Sequence, residues 1–236
     1  MPQRPEESPV YAFLRNPSMV DYPGRMAAVF FLSGCNFKCP FCHNRALMRQ
    51  KQKGIPWTRL DPVLADFREN WVEGVVITGG EPTLDPALLP LIRRLRAGGW
   101  LIKLDTNGSN PDVLRQCIPL VGYVAMDVKA GLPAYESLTG WNDTAKIQES
   151  IDLIKSEAAD YEFRTTIIDS IHTDPEMMQI GRLIEGSRRY VLQPFLPRED
   201  IPDPALAGTP RTSPDRLNTL AALMKNYAGA ISVRGG

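Results

Sequence analysis

A helix-capping residue followed by proline recurs along this chain between short apolar runs, and that rhythm limits the fold more than any other feature. Asp61-Pro62, Asp85-Pro86, Asn110-Pro111, Asp174-Pro175 and Ser213-Pro214 each stand before a helix-like pattern. Such a pair starts a helix because the first side chain accepts from an orphan backbone N–H, and proline has no N–H to leave unpaired. A further helix over 143–158, capped by Asp143, is read from Ile147, Ile151 and Ile154 on one face. Between the starts lie runs that read as strands: 26–32, 74–78, 100–104, 123–126, 162–168 and 190–192. Strands alternating with helices make parallel βα units, which suit either a doubly wound sheet or an open barrel. Both folds place ligands at the C-terminal ends of the strands.

The most polar, Gly-rich and Cys-rich stretches all emerge at that edge. The first expected strand runs into SGCNFKCPFCHN, the second into TGGEP, the third into DTNG and the fourth into DVK. The edge is therefore the expected site. Lys plus Arg equals Asp plus Glu at 27 each, so no net field favours a nucleic acid or an anionic membrane, and neither is expected as a partner. The opening MPQRPEESPVYAFLRN lacks the apolar run of a signal peptide, and nowhere do about 18 uncharged apolar residues follow one another. The expected location is the cytoplasm.

Cys35-x3-Cys39-x2-Cys42 sets three thiols within eight residues, and Cys117 stands alone 75 positions beyond Cys42. In a reducing compartment such a set suggests a metal rather than disulfides. An iron–sulfur cube normally takes four Cys, so three leave one iron without a protein ligand. An open position is how a metal centre engages a substrate. The cysteines alone leave a zinc site as the alternative, with His43 or Cys117 as fourth ligand; His43, adjacent to Cys42, is poorly placed for it. Cys117, in VLRQCIPL, reads as a core residue and cannot hold a second cluster. Trp57, Trp71, Trp100 and Trp141 read as packing residues.

SGCNFKCPFCHN resembles the cluster loop of the radical S-adenosylmethionine (SAM) superfamily, C-x3-C-x-aromatic-C, with Phe41 as the aromatic. The trailing His43-Asn44 resembles the glycyl-radical-enzyme activases within it. Gly79-Gly80-Glu81-Pro82 is similar to the GGEP segment that contacts the SAM amino group in relatives, and Asp105-Thr106-Asn107 and Asp127-Val128-Lys129 resemble the third and fourth strand ends. The resemblance implies an α/β open (β/α)6 partial TIM barrel, with one [4Fe–4S] cluster on Cys35, Cys39 and Cys42. It further implies SAM among Phe41, His43 and these strand ends. Asp105 and Asp127 would share a monovalent cation beside the SAM carboxylate, with Lys129 and Arg164 as nearby donors. Arg164 has a second reading, as a strand residue paired with Glu162 or another carboxylate. Ser18–Gly24 resembles the T-x-D-G-P-G segment of pyruvate formate-lyase activases, which implies Asp21 near a partner's glycyl loop; the alternative is a turn residue before Pro23-Gly24.

One domain is expected over 1–236: a lead-in at 1–24, a barrel core at 25–195, and a C-terminal loop and helix at 196–236. The Pro-rich stretch 196–213 reads as a lid or partner-docking segment, with a loose linker as the alternative. The activity implied is one-electron cleavage of SAM and hydrogen abstraction from a backbone glycine of a partner enzyme. An external donor such as a flavodoxin or ferredoxin would supply the electron. Pyruvate formate-lyase activases carry L-L-P-Y-H after the sixth strand, where this chain has Leu192-Gln193-Pro194-Phe195-Leu196. That version is more similar to activating proteins of anaerobic ribonucleoside-triphosphate reductase, with Gln193 a candidate SAM contact in place of the His. The alternatives are an activase of pyruvate formate-lyase or another glycyl radical enzyme, a small-molecule enzyme such as a deazapurine-forming synthase, and an electron carrier or zinc module.

Overall fold

The computed structural model describes residues 7–48 and 52–235, so residues 1–6 of the expected lead-in lie outside it. Seven parallel strands follow one another in a single sheet: β3 (Arg25–Leu32), β4 (Gly74–Gly79), β5 (Leu101–Thr106), β6 (Tyr123–Asp127), β7 (Tyr161–Ile167), β8 (Ser187–Pro194) and β9 (Ala228–Val233). Two antiparallel strands, β1 (Val10–Phe13) and β2 (Ser18–Tyr22), pair with β3. Among the described residues β9 makes no pairing back to the first strands, so the sheet is an open barrel, as the sequence implied. Helices α1 (Trp57–Glu69), α2 (Leu88–Ala97), α3 (Pro111–Cys117), α4 (Leu132–Thr139), α5 (Thr144–Glu157), α6 (Asp174–Leu183), α7 (Pro204–Ala207) and α8 (Pro214–Met224) fill the connections. Among the described residues no helix is long and apolar enough to cross a membrane.

The strands read as continuous apolar runs because both faces are buried, as parallel sheets require. Outer-face residues such as Phe30, Leu32 and Leu104 pack with Leu91 and Leu95 of α2 and Ile147, Ile151 and Ile154 of α5. The inner face has a small apolar cluster, Tyr22, Ala27, Val29, Val76, Tyr123 and Ala125. Above it the inner face carries charge: Lys103, Asp105, Glu162 and Arg164 are all largely buried.

Only some of the capped prolines open helices. Pro111 and Pro214 do open α3 and α8, and Ser213 Oγ accepts from Arg216 N at 3.1 Å. Thr173, not Asp174, caps α6, and α2 begins two residues beyond Pro86. Asp61-Pro62 is no start: α1 begins a turn earlier, where Pro56 is extended and its carbonyl accepts from Leu60 N, and Pro62 lies inside the helix. Asp61 instead pairs with Arg94 at 2.7 Å. Trp71 is 86% exposed, at φ 64° just after α1, so it does not pack as expected. The C-terminal stretch, expected as loop and helix, also supplies β9, whose Ala/Gly-rich AGAISV has little strand propensity of its own and is a strand through pairing with β8.

Arg234, just past β9, ties this last strand to the barrel interior. Its guanidinium donates to both oxygens of buried Glu162, at 2.7 and 2.6 Å, and Tyr123 Oη adds a third donor at 3.0 Å. Burial opposes ionisation of Glu162, but Arg234 outweighs it and holds the carboxyl below its usual range. Stability from this group is therefore complete above the unfolded-state pKa, about 4.3, and is lost as pH falls through the lower folded value. Glu162→Gln is expected to cost about 2–4 kcal/mol at pH 7 by stranding Arg234. Urea unfolding at pH 7 and pH 3 checks both points: the wild type should lose more stability on acidification than the variant, and equal losses would refute the assignment.

Candidate functional site

The β3–α1 loop carries the three cysteines over the C-terminal ends of the strands, and its main chain is braced from distant parts of the chain. Gly34 N donates to Leu47 O at 2.8 Å and Lys38 N to Thr139 O at 2.7 Å, while Pro40 O accepts from Asp203 N at 3.0 Å. His43 stacks on Phe195 at 5.9 Å and donates from Nε2 to Leu196 O at 2.7 Å. Leu196–Ser213 is thus packed rather than loose: Ile201 and Leu206 are buried and Thr212 Oγ1 donates to Ile167 O at 2.5 Å.

The β4 end meets this loop through backbone contact that only glycine allows. Gly80 N donates to Leu32 O at 2.9 Å and Glu81 N to Gly34 O at 2.8 Å. A Cβ on Gly79, which has φ 136°, would lie 2.0 Å from Leu32 O, and one on Gly80 would lie 2.1 Å from Gly34 O. Fully buried Glu81 then stitches β4 to β5. Its carboxylate accepts from Thr83 N (3.1 Å), Thr83 Oγ1 (2.6 Å), Thr106 Oγ1 (2.8 Å) and Asn107 N (2.6 Å). Burial nevertheless raises its pKa, against those hydrogen bonds. Asn107 continues the link, donating to Asn36 Oδ1 at 3.0 Å, and Asn36 donates to Ser109 Oγ at 2.8 Å.

One pocket opens between these strand ends. Cys35, Cys39, Phe41, Cys42 and His43 line it from the loop. Gly79, Gly80, Glu81, Asp105, Thr106, Asn107, Asp127, Lys129 and Arg164 line it from the strands. Burial pushes the thiols up, Cys35 to about 12 and Cys39 to about 11, so metal binding must displace their protons. Cys117 is buried in α3, away from this lining.

The pocket floor is a chain of ion pairs, buried at Lys103 and Asp105 and half-buried at Asp127, Lys129 and Arg164. Arg164 donates to Asp127 at 2.6 Å and to Asp105 at 3.1 Å; Lys103 meets Asp105 at 2.5 Å and Lys129 meets Asp127 at 3.0 Å. Burial opposes ionisation of both aspartates, but Arg164, with Lys103 at Asp105 and Lys129 at Asp127, holds both carboxyls below their usual range. Of these groups Asp105, Asp127, Lys129 and Arg164 line the pocket together with Glu81, and Lys103 lies behind them. Arg164 bridges the two aspartates between which the resemblance implies a monovalent cation. Arg164 pairs with these two residues, and Glu162 is taken by Arg234.

Three expected site residues stand outside the lining. Pro82 is buried at the start of a 3₁₀ turn. Gln193 pairs in register with Thr166, so it shares the inner face with that pocket residue but stops short of the pocket. Asp21 is not brought there: its neighbour Tyr22 pairs with Arg25 at the N-terminal end of β3. The pocket lies at the other end of that strand, roughly 23 Å away at about 3.3 Å per residue. Sequence reading missed Lys103, hidden in an apolar run, and Thr166, which carries no motif. Gly80→Ala is expected to destabilise the fold by about 3 kcal/mol or more, since backbone must move. Gly24→Ala, at φ 71° with open space around it, should cost about 1 kcal/mol. Thermal melts that rank the two the other way would contradict the close approach.

Residues 29–180 match the family described as the Radical SAM superfamily. The chain is 31% identical over 225 residues to a Methanocaldococcus jannaschii protein named "Putative glycyl-radical enzyme activating enzyme", covering 92% of each. It is 35% identical over 106 residues to the 7-carboxy-7-deazaguanine synthase of Neisseria meningitidis serogroup B, covering 44% of this chain and 45% of that one. Its fold is similar to that of Streptococcus suis SuiB bound to precursor peptide SuiA (TM-score 0.66, 13% identity), covering 88% of this chain and 48% of that chain.

Proposed function

The chain belongs to the radical SAM superfamily, and from that premise we propose that it activates a glycyl radical enzyme by taking a hydrogen atom from a backbone glycine of that partner. The family's cofactors are one [4Fe–4S] cluster and SAM. The observation that carries the reading is that three cysteines, not four, line the pocket. Three thiolates would hold three irons of a cube and leave the fourth without a protein ligand. Among the described residues no three His, Cys, Asp or Glu side chains gather as on a single ion. A cube, with one thiolate per iron, suits that spread better than zinc does. When bound, the cluster and SAM supply one-electron cleavage at the sulfonium and hydrogen-atom abstraction.

The chain's own residues bind and orient. The Arg164 and Lys129 cations, both lining the pocket, suit the SAM carboxylate. Glu81, spent on four donors, orders the turn that carries Gly79 and Gly80, which would meet the SAM amino group. Gln193, whose amide has no hydrogen-bond partner among the described residues, is left to meet SAM or substrate at the rim. Asp21, at the far end of β3, would touch a partner only away from the reacting centre.

The near full-length likeness to the M. jannaschii protein supports a glycyl radical enzyme as substrate. The Gln193-Pro194-Phe195 segment supports anaerobic ribonucleoside-triphosphate reductase before pyruvate formate-lyase. The electron is assigned to an external flavodoxin or ferredoxin, since Cys117 alone cannot hold a second cluster. The partial likeness to 7-carboxy-7-deazaguanine synthase favours a second reading, a small-molecule purine-type substrate.

Anaerobic reconstitution should give brown protein with about four iron and four sulfide per chain. Cys35→Ala, Cys39→Ala and Cys42→Ala should each lose that colour, and Cys117→Ala should keep it. With SAM and dithionite, a glycyl radical signal by electron paramagnetic resonance is expected only when the reductase is added. Turnover of a deazapurine precursor without any protein partner would overturn the activase reading.

A further inference from the structure

His172 is fully buried, outside the pocket, in the turn between β7 and α6. Its two ring nitrogens have opposite duties. Nδ1 accepts from Ile168 N at 3.0 Å, within a turn closed by His172 N donating to Ile168 O at 2.8 Å. Nε2 donates to Lys129 O at 3.0 Å. Only the neutral Nε2–H tautomer satisfies both contacts. Burial, with Lys129 and Arg216 nearby, also holds the imidazole below its ordinary pKa. Arg216 donates to His172 O at 2.9 Å and pairs with Asp174, so the main chain of this turn is anchored from α8 as well.

The strand end it grips carries charge into the pocket. Lys129 pairs with Asp127 at 3.0 Å and lies 5.9 Å over the Phe41 ring. Its main chain is held on several sides: Thr165 Oγ1 donates to Val128 O at 2.7 Å, Lys129 N to Tyr135 Oη at 3.3 Å, and Gly131 N to Glu176 Oε1 at 2.6 Å. Among the described residues His172 is the sole donor to Lys129 O. We propose that His172 is a positioning residue, fixing the Lys129 main chain so that its ammonium stands ready beside Asp127 for an anionic ligand group. The inference rests on the reading of the pocket given above.

The Nε2 contact can be separated from the Nδ1 contact by substitution. Gln places a donor at the ε position and can still reach Lys129 O; Asn places its amide at the δ position and cannot. The readout is SAM affinity of the reconstituted protein by equilibrium dialysis, alongside thermal melting. His172→Asn is expected to weaken SAM binding about tenfold and His172→Gln less than about twofold. In a Lys129→Met background the Asn change should have no further effect on affinity. If His172→Asn does not fold, His172→Phe, which keeps a ring and lacks the donor, serves in its place. Wild-type affinity in both variants, or equal losses in both, overturns the inference. Wild-type affinity in Lys129→Met would instead overturn the reading of the pocket, and the two failures are thereby told apart.

Discussion

The structure depends on a guanidinium held inside a barrel. Arg164 on β7 binds Asp127 on β6 and Asp105 on β5, so one side chain clamps three consecutive strands from the inner face. Charges at this depth are expensive unless paired and hydrogen-bonded. Each aspartate therefore has a second cation, Lys103 or Lys129, and the network is satisfied throughout. An apolar filling would serve stability as well or better. Its cost makes sense as preorganisation: the Arg164 and Lys129 cations are fixed at the pocket before any ligand arrives, with little reorganisation left for binding.

This clamp also explains what could and could not be read from the sequence. The six central strands and their order were legible because strands buried on both faces are continuous apolar runs, and the Cys loop and GGEP because glycine and cysteine leave few alternatives. Partners were not legible. Asp105 and Asp127 were seen, but that Arg164 bridges them depends on which face of β7 points inward. Lys103 was invisible for the same reason, as a lysine in a strand is ordinarily taken to be exposed. β1, β2 and β9 are held by pairing with stronger neighbours, and local propensity hardly marks them. Asp21 shows the limit of motif order: a residue close in sequence to the cysteine loop lies at the opposite end of its strand.

The cysteine loop itself is shaped by contacts made late in the chain. Thr139 holds Lys38, Leu196 holds His43, and Asp203 holds Pro40. These are one hydrogen bond each, worth about 1 kcal/mol apiece. They act on a loop of three desolvated thiols that has little regular structure of its own. The loop's geometry thus depends on contacts from 139 and from 195–203, a stretch in which Ile201 is buried. The pocket is accordingly a product of the whole barrel rather than of its motif. A change in the C-terminal third that leaves every cysteine untouched can still move the thiols, because the chain closes around the loop from both sides.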